Sequence, residues 1–514
     1  MRCLRFSSML LLGALCAPSQ DLKEFEKRVT EFTLPNGLHF VLLERHEAPI
    51  VSFHTFVNAG SADDPAGQTG MARMIERVAF KGTETIGTSN WAAEKKSLDA
   101  VEEAWDRVEA EANKGAKTDS TRVDMVRSQA RLAAESAKRF GQPGEYTRIL
   151  DENGATNRIA STTVDATSYS YTLPSNRIEL WFLMESQRLL HPVFRDFYVE
   201  RDAQAAEYQP QLQSNPQNKF FAELLAAAFK VHPYRNPILG WTGDIQNLRR
   251  NAAKEFFDRY YTPGNISIAM VGDLNPVEAK KMAERYFGPM PAKPSPPLVH
   301  ADEPVQEGPR TVVLEAPGPT LLAVGYKRPS QDDKDDLVFD IIQFLMSQGN
   351  TGLLYREMVQ EKHLAIQARA GATFPAGRFP NLMVFVLVPA QGRTLEEAQF
   401  GLDDFLNRFK NMEIDAQSLA RAKAQLRIIL LRRLAASDGM ASLLAIHQGQ
   451  YGDWRKMFTA VAELDKVTPD AIQRVATKYL VATGRTTVYT VQPGQSNLVS
   501  PVRQPAPRKT GGAQ

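Results

Sequence analysis

Apolar and polar positions alternate through residues 28–60: Val29, Phe32 and Leu34, then Leu38, Phe40, Val41 and Leu42, then Val51, Phe53, Thr55 and Val57. Period-two alternation predicts three strands. Pro35-Asn36-Gly37 between the first two runs is a hairpin-turn signal. Loops at 60–65 and 67–70 then lead to an amphipathic helix, predicted to open after Gly70 and stop at Gly82. The order is strand, strand, strand, loop, helix.

Residues 91–150 change character. Ala, Glu, Lys and Arg dominate, and Leu98, Val101, Trp105 and Val108, like Val123, Val126, Ala130 and Leu132, recur at helical spacing. This predicts a helical hairpin with solvated charged faces. Alternation returns at 160–171 as a strand pair rich in Thr and Tyr. Helices are expected at 175–190, 197–213, 216–230 and 248–261, then a strand at 266–271. From 289 to 309 seven prolines fall within a stretch that includes Gly288 and has no apolar periodicity, which predicts a semi-rigid linker. Beyond it strands are expected at 311–316 and 320–326, and a helix at 335–347. Residues 464–492 run helix, Tyr479-Leu480, turn, strand, the order already met at 248–273, and this points to an internal duplication. Residues 494–514 have the composition of a disordered tail.

Composition narrows the class. At 514 residues with 43% hydrophobic content the chain has room for several ordinary cores. A net charge of +2 gives no nucleic-acid signature. Residues 1–20 place Arg2 and Arg5 before an apolar run from Met9 to Leu15, the layout of a cleaved secretory signal too short to span a bilayer. Lipidation at Cys16 is the weaker alternative, because Leu15 is larger than the small residue expected there. The only cysteines, Cys3 and Cys16, lie within this segment, so the mature chain is expected to hold no disulfide. A periplasmic or secreted protein without a membrane span follows as the expectation.

The candidate chemistry centres on the helix at 71–82. Arg73, Glu76 and Arg77 stand at i, i+3 and i+4, so they project from one face. By itself that is also the pattern of a solvated ion-pair stripe. The frame Gly70…Glu76-x-x-x-Phe80-Lys81-Gly82-Thr83, however, resembles the zinc helix of the pitrilysin/insulinase (M16) metallopeptidases, whose inverted motif is His-x-x-Glu-His. The resemblance extends to Leu34-Pro35-Asn36-Gly37-Leu38, Ala160-Ser161-Thr162, Glu200 to Glu207, His232-Pro233-Tyr234 with Gly240-Trp241, and the strand near 266–272. It covers residues 28–493. It implies an α+β fold of two homologous domains (21–288, with the hairpin 91–150 as an insertion, and 310–493), each a mostly antiparallel sheet backed by helices, facing across a chamber.

In that family two helix histidines and a downstream glutamate bind zinc, and the glutamate between the histidines is the general base. Carried over, Glu76 keeps the base position, Glu207 the third ligand position and Glu200 a supporting one, while Arg73 and Arg77 stand where the imidazoles belong. A guanidinium has no lone pair to offer a metal. Ile159 stands where the family has a substrate-holding asparagine, and Val359 and Ile366 where it has an arginine and a tyrosine. The resemblance therefore implies a vestigial site with no cofactor expected, and a chain that pairs with an active M16 subunit, forms a homodimer, or binds peptides in its chamber. The alternative is a zinc-dependent endopeptidase with an atypical site.

Overall fold

The computed structural model describes residues 25–297, 299 and 301–494. The expected signal segment (1–20) and the tail beyond Gly494 lie outside them. In the first half β1 (Val29–Thr33), β2 (His39–Glu44) and β3 (Ile50–Val57) precede α1 (Met71–Val78). Three helices follow, α2 (Trp91–Ala112), α3 (Ser120–Ala137) and α4 (Glu145–Glu152). Then come β4 (Thr156–Thr162), β5 (Thr167–Pro174), α5 (Ile178–Leu190), α6 (Phe197–Tyr208), α7 (Pro216–Ala228), α8 (Thr242–Asn247), α9 (Arg250–Tyr260), β6 (Ile266–Gly272) and α10 (Pro276–Phe287). The second half holds β7 (Arg310–Glu315), β8 (Leu322–Arg328), α11 (Asp336–Ser347), β9 (Ala365–Phe374), β10 (Asn381–Pro389), α12 (Leu395–Phe409), α13 (Ala416–Ala435), α14 (Ser437–Tyr451), α15 (Lys456–Lys466), α16 (Pro469–Tyr479) and β11 (Arg485–Val491).

The sheets repeat one another. The first has the order β1-β2-β6-β3-β5-β4 and the second β7-β11-β8-β10-β9. In each, a strand from the end of its half enters the middle, parallel to one neighbour and antiparallel to the other: β6 between β2 and β3, β11 between β7 and β8. All other pairings are antiparallel. The helices before these strands match as well: α9 and α16 are each 11 residues, each is followed by a three-residue 3-10 turn, and β6 and β11 are each 7 residues. The fold is thus α+β with two homologous sheet-and-helix domains.

Each half also covers the other. The face of the first sheet carrying Val41, Leu43, Phe56 and Val271 is buried against Met440, Leu444 and Trp454 of the second half. The second sheet, through Ala323, Leu382, Val384 and Val488, is buried against Leu224, Ala228 and Phe229 of the first. The covering helices, α7 and α14, occupy corresponding places in the two halves. Gly449 allows α14 to lie close, since a Cβ there would meet the Phe56 ring at 2.2 Å. Apolar burial at about 25 cal/mol per Å² makes this exchange a principal bond between the halves.

One sequence expectation needs correcting. Helix α1 ends at Val78 rather than at Gly82. The Ala79 amide already bonds to the Glu76 carbonyl, one residue short of α geometry, and the Lys81 amide to Val78. Phe80 turns into the core against Tyr146 and Tyr169. Gly82, at φ +109°, then turns the chain where a Cβ would meet the Ile86 carbonyl.

Candidate functional site

Helix α1 is held tightly at its start. Gly70 sits at φ +91° with the Leu239 carbonyl so close that a side chain has no room. The half-buried Asp64 accepts from the amides of Gly70 at 2.7 Å and Ala72 at 2.8 Å, which satisfies donors that a helix start leaves free. Burial nonetheless pushes the Asp64 carboxyl well up, more than these amides pull it down. Gln204 of α6 donates to the carbonyls of Gly70 (3.0 Å) and Leu239 (2.8 Å). Met71, Met74, Ile75 and Val78 face the first core.

The opposite face meets α6, where Glu200 and Glu207 share a face with Gln204. Arg73 pairs with Glu76, which is only 7% exposed. Arg77 spans two carboxylates: its Nε and Nη2 donate to Glu200 Oε2 at 3.0 and 2.9 Å, and its Nη1 donates to Glu207 Oε1 at 2.6 Å. Lys81 completes the cluster with Nζ 2.6 Å from Glu200 Oε1. Three cations thus face three carboxylates. Burial pulls Arg77 down, but Glu207 and Glu200 outweigh it and raise the guanidinium above its ordinary value. Burial likewise raises Glu200, and Lys81 and Arg77 outweigh it, so its carboxyl is lowered. Each partner holds the other in its charged form.

Five of the residues singled out in the sequence therefore fall in two ion-pair groups on α1 and α6, Arg73 with Glu76 and Arg77 with Glu200 and Glu207. Ile159 lies on the edge strand β4, which packs beside α1, and its side chain is 58% exposed. Val359 and Ile366 lie in the second domain, Val359 packed against the second core and Ile366 exposed on the edge strand β9. Sequence reasoning passed over Lys81 and Gln204. The signals were present: Lys81 follows Arg77 by four residues, and Gln204 follows Glu200 by four.

These side chains do not fit a catalytic zinc. Such a site needs three ligands with free lone pairs and an open position for water. Arg73 and Arg77 offer only protons, and Arg77 lies between the two carboxylates of α6. Among the described residues no histidine pairs with these side chains. His54 on β3 is buried, with Nε2 unpartnered and burial pulling it down to about 4. His191 faces Glu84, and His46 faces Glu44 and Asp273. Among the described residues no group of three or more His, Cys, Asp or Glu side chains is arranged to hold a metal.

Comparison with known proteins gives the cluster its setting. Residues 130–242 match the family model described as insulinase (peptidase family M16), and residues 247–426 the one described as peptidase M16 inactive domain. The first match takes in Glu200 and Glu207 and begins beyond α1. A zinc protease of Helicobacter pylori, PqqE, is 26% identical over 511 residues, covering 95% of this chain and 98% of that protein. A probable mitochondrial-processing peptidase subunit beta of Arabidopsis thaliana is 21% identical, covering 91% of this chain and 78% of its own. Among solved structures, a protease from Helicobacter pylori superposes with a TM-score of 0.74 at 22% identity, covering 90% of this chain and 99% of that one. A peptidase M16 inactive domain from Pseudomonas fluorescens gives 0.68 at 16% identity, covering 90% and 98%. No helix among the described residues is long and apolar enough to cross a membrane.

Proposed function

Starting from a chain that belongs to the M16 (pitrilysin/insulinase-like) peptidase family, we propose an exported, non-catalytic member that serves as the partner subunit of an active M16 zinc peptidase. The observation that carries this reading is Arg77, whose one guanidinium holds both Glu200 and Glu207. Carboxylates that the family resemblance assigns to zinc and its support are here neutralised by a cation that cannot leave. A like-charged carboxylate pair without a counter-ion is costly, so a fixed guanidinium in place of a metal keeps the α1–α6 contact intact. Ile159, Val359 and Ile366, where the resemblance expects polar groups for substrate, agree with a chain that builds part of an enclosure rather than cutting in it.

The test is metal analysis of the purified protein beside peptide cleavage with and without a chelator. Zinc far below one per chain and no chelator-sensitive cleavage are expected. Near-stoichiometric zinc with chelator-sensitive cleavage overturns the reading in favour of a zinc endopeptidase with an atypical site. That second reading draws on the buried Glu76 and on the relative named a zinc protease. Co-purification with an M16 chain carrying an intact His-x-x-Glu-His motif decides the partner role.

A further inference from the structure

Remote from α1, a cavity of about 530 Å³ lies between the proline-rich linker and the second domain. Its walls include Phe229, His232, Glu303, Lys327, Phe379 and Tyr479. That volume falls within the range of small-molecule sites. Two nitrogen donors in it are buried and have no hydrogen-bond partner: Lys327 Nζ and His232 Nε2. Lys327 Nζ lies 3.5 Å from the centre of the Phe229 ring. The His232 ring packs against Phe379 at 4.8 Å, and the residue is 4% exposed. Its Nδ1 accepts the Tyr234 amide at 3.2 Å, so in the neutral ring the proton sits on Nε2.

Of the two acidic side chains in the cavity lining, Asp302 and Glu303, Glu303 is already committed. Glu303 accepts from three successive backbone amides, Lys230 (2.7 Å), Val231 (2.9 Å) and His232 (3.1 Å). It stands 4.0 Å from Lys327 Nζ, beyond hydrogen-bond reach. Buried donors left without a partner are costly. Arg328 and Lys478, also in the lining, face Asp336 and Asp335, so the donors the cavity leaves free between its aromatic walls are the Lys327 ammonium and the His232 imidazole N–H.

We propose that this cavity binds a small organic carboxylate with an apolar or aromatic body, its oxygens taken by Lys327 Nζ and His232 Nε2–H. The two donors can each take one carboxylate oxygen, and the aromatic walls give an apolar body a place that inorganic phosphate would leave empty. Burial lowers Lys327 to about 8, against the pull of Glu303, so the ammonium that meets the carboxylate is present at neutral pH and lost above it.

Calorimetric titration of the full-length protein with 3-phenylpropanoate tests the site. Saturable 1:1 binding at pH 7 is expected, weakened at least tenfold in Lys327→Met, whose side chain keeps the packing on Phe229. Thr483→Trp, at an exposed position lining the cavity, is expected to abolish binding with unfolding unchanged. Absence of binding at millimolar ligand overturns the proposal, as does unchanged affinity in Lys327→Met. Inorganic phosphate binding as tightly as phenylpropanoate also overturns it, because the aromatic walls would then contribute nothing.

Discussion

Arg77 and Arg378 each hold two acidic residues, one at the rim of the first domain and the other across the boundary between the halves. Arg77 ties α1 to α6 within one domain, and its partner Glu207 remains 33% exposed. Arg378, in the loop between β9 and β10, reaches the first half: its Nη2 donates to Asp63 at 2.8 Å, and its own amide and that of Gly377 donate to Asp165 at 2.8 and 3.1 Å. Tyr234 adds its hydroxyl to Asp165 at 2.7 Å and accepts the Phe379 amide at 3.1 Å. Asp63 and Asp165 are both buried. The same residue types thus do two jobs. The buried knot fixes how the halves sit, and the rim cluster satisfies the carboxylates of a site without holding the molecule closed.

The contrast predicts unequal costs. Arg378→Met leaves Asp63 and Asp165 buried without their cation, and breaking a buried pair from one side costs about 3–5 kcal/mol. Equilibrium urea unfolding is expected to show that loss, together with earlier separation of the halves as seen by limited proteolysis. A loss below about 1 kcal/mol breaks the comparison, because Arg378 would then behave like a surface residue.

The two clusters should also respond to pH with opposite sign. Burial raises the Asp63 carboxyl, more than Arg378 and the Gly60 amide lower it. Its contribution is therefore full below the ordinary value of 3.8 and is lost as pH rises through the raised folded value. Glu200 is lowered on balance, so its contribution is present above 4.5 and lost as pH falls through the depressed folded value. As pH climbs from 3.5 to neutrality (about the carboxylate range), Asp63→Asn is expected to gain on the parent chain and Glu200→Gln to fall behind it. Urea midpoints measured across that range check this; parallel trends refute it.

How much of this was legible in the sequence differs between the two clusters. Period-two runs located β1, β2 and β3, and matching order at 248–273 and 464–492 located the repeated α9–β6 and α16–β11 units. Helical spacing alone assembled Arg73, Glu76 and Arg77, and the family resemblance added Glu200 and Glu207. The knot at Arg378 had no such signal. Its members lie 213 and 315 positions apart in the chain, on loops with no period to read. The exchange of α7 and α14 was hidden for a related reason: an apolar helix face says that it will be buried, not by which half. The elements β9, β10 and α12–α15 fell in the stretch for which no pattern was read.

At the rim, Arg77→Ala is expected to cost about 1–2 kcal/mol, between the values for exposed and buried pairs. Lys81 still neutralises Glu200, and added salt should shrink the difference. An unchanged melting temperature would mean that the cluster does not hold α1 to α6.

The smallest change in activity is expected from the most literal repair, Arg73→His combined with Arg77→His. It frees Glu207 from its guanidinium and returns two imidazoles one helical turn apart, so the three-ligand requirement of a catalytic zinc is met on paper. Zinc content should rise. Cleavage should not, because a metal is only one part of a hydrolytic site. The substrate carbonyl also needs donors aimed where charge develops, and removing even one such donor costs about 10²–10³ in rate. At Ile159, Val359 and Ile366 this chain offers hydrocarbon where the resemblance expects an amide, a guanidinium and a phenol. Zinc uptake with chelator-sensitive cleavage still at background places the loss beyond the metal ligands. Strong recovered cleavage would mean instead that those three positions never held substrate, and that the two arginines alone separate this chain from a working peptidase.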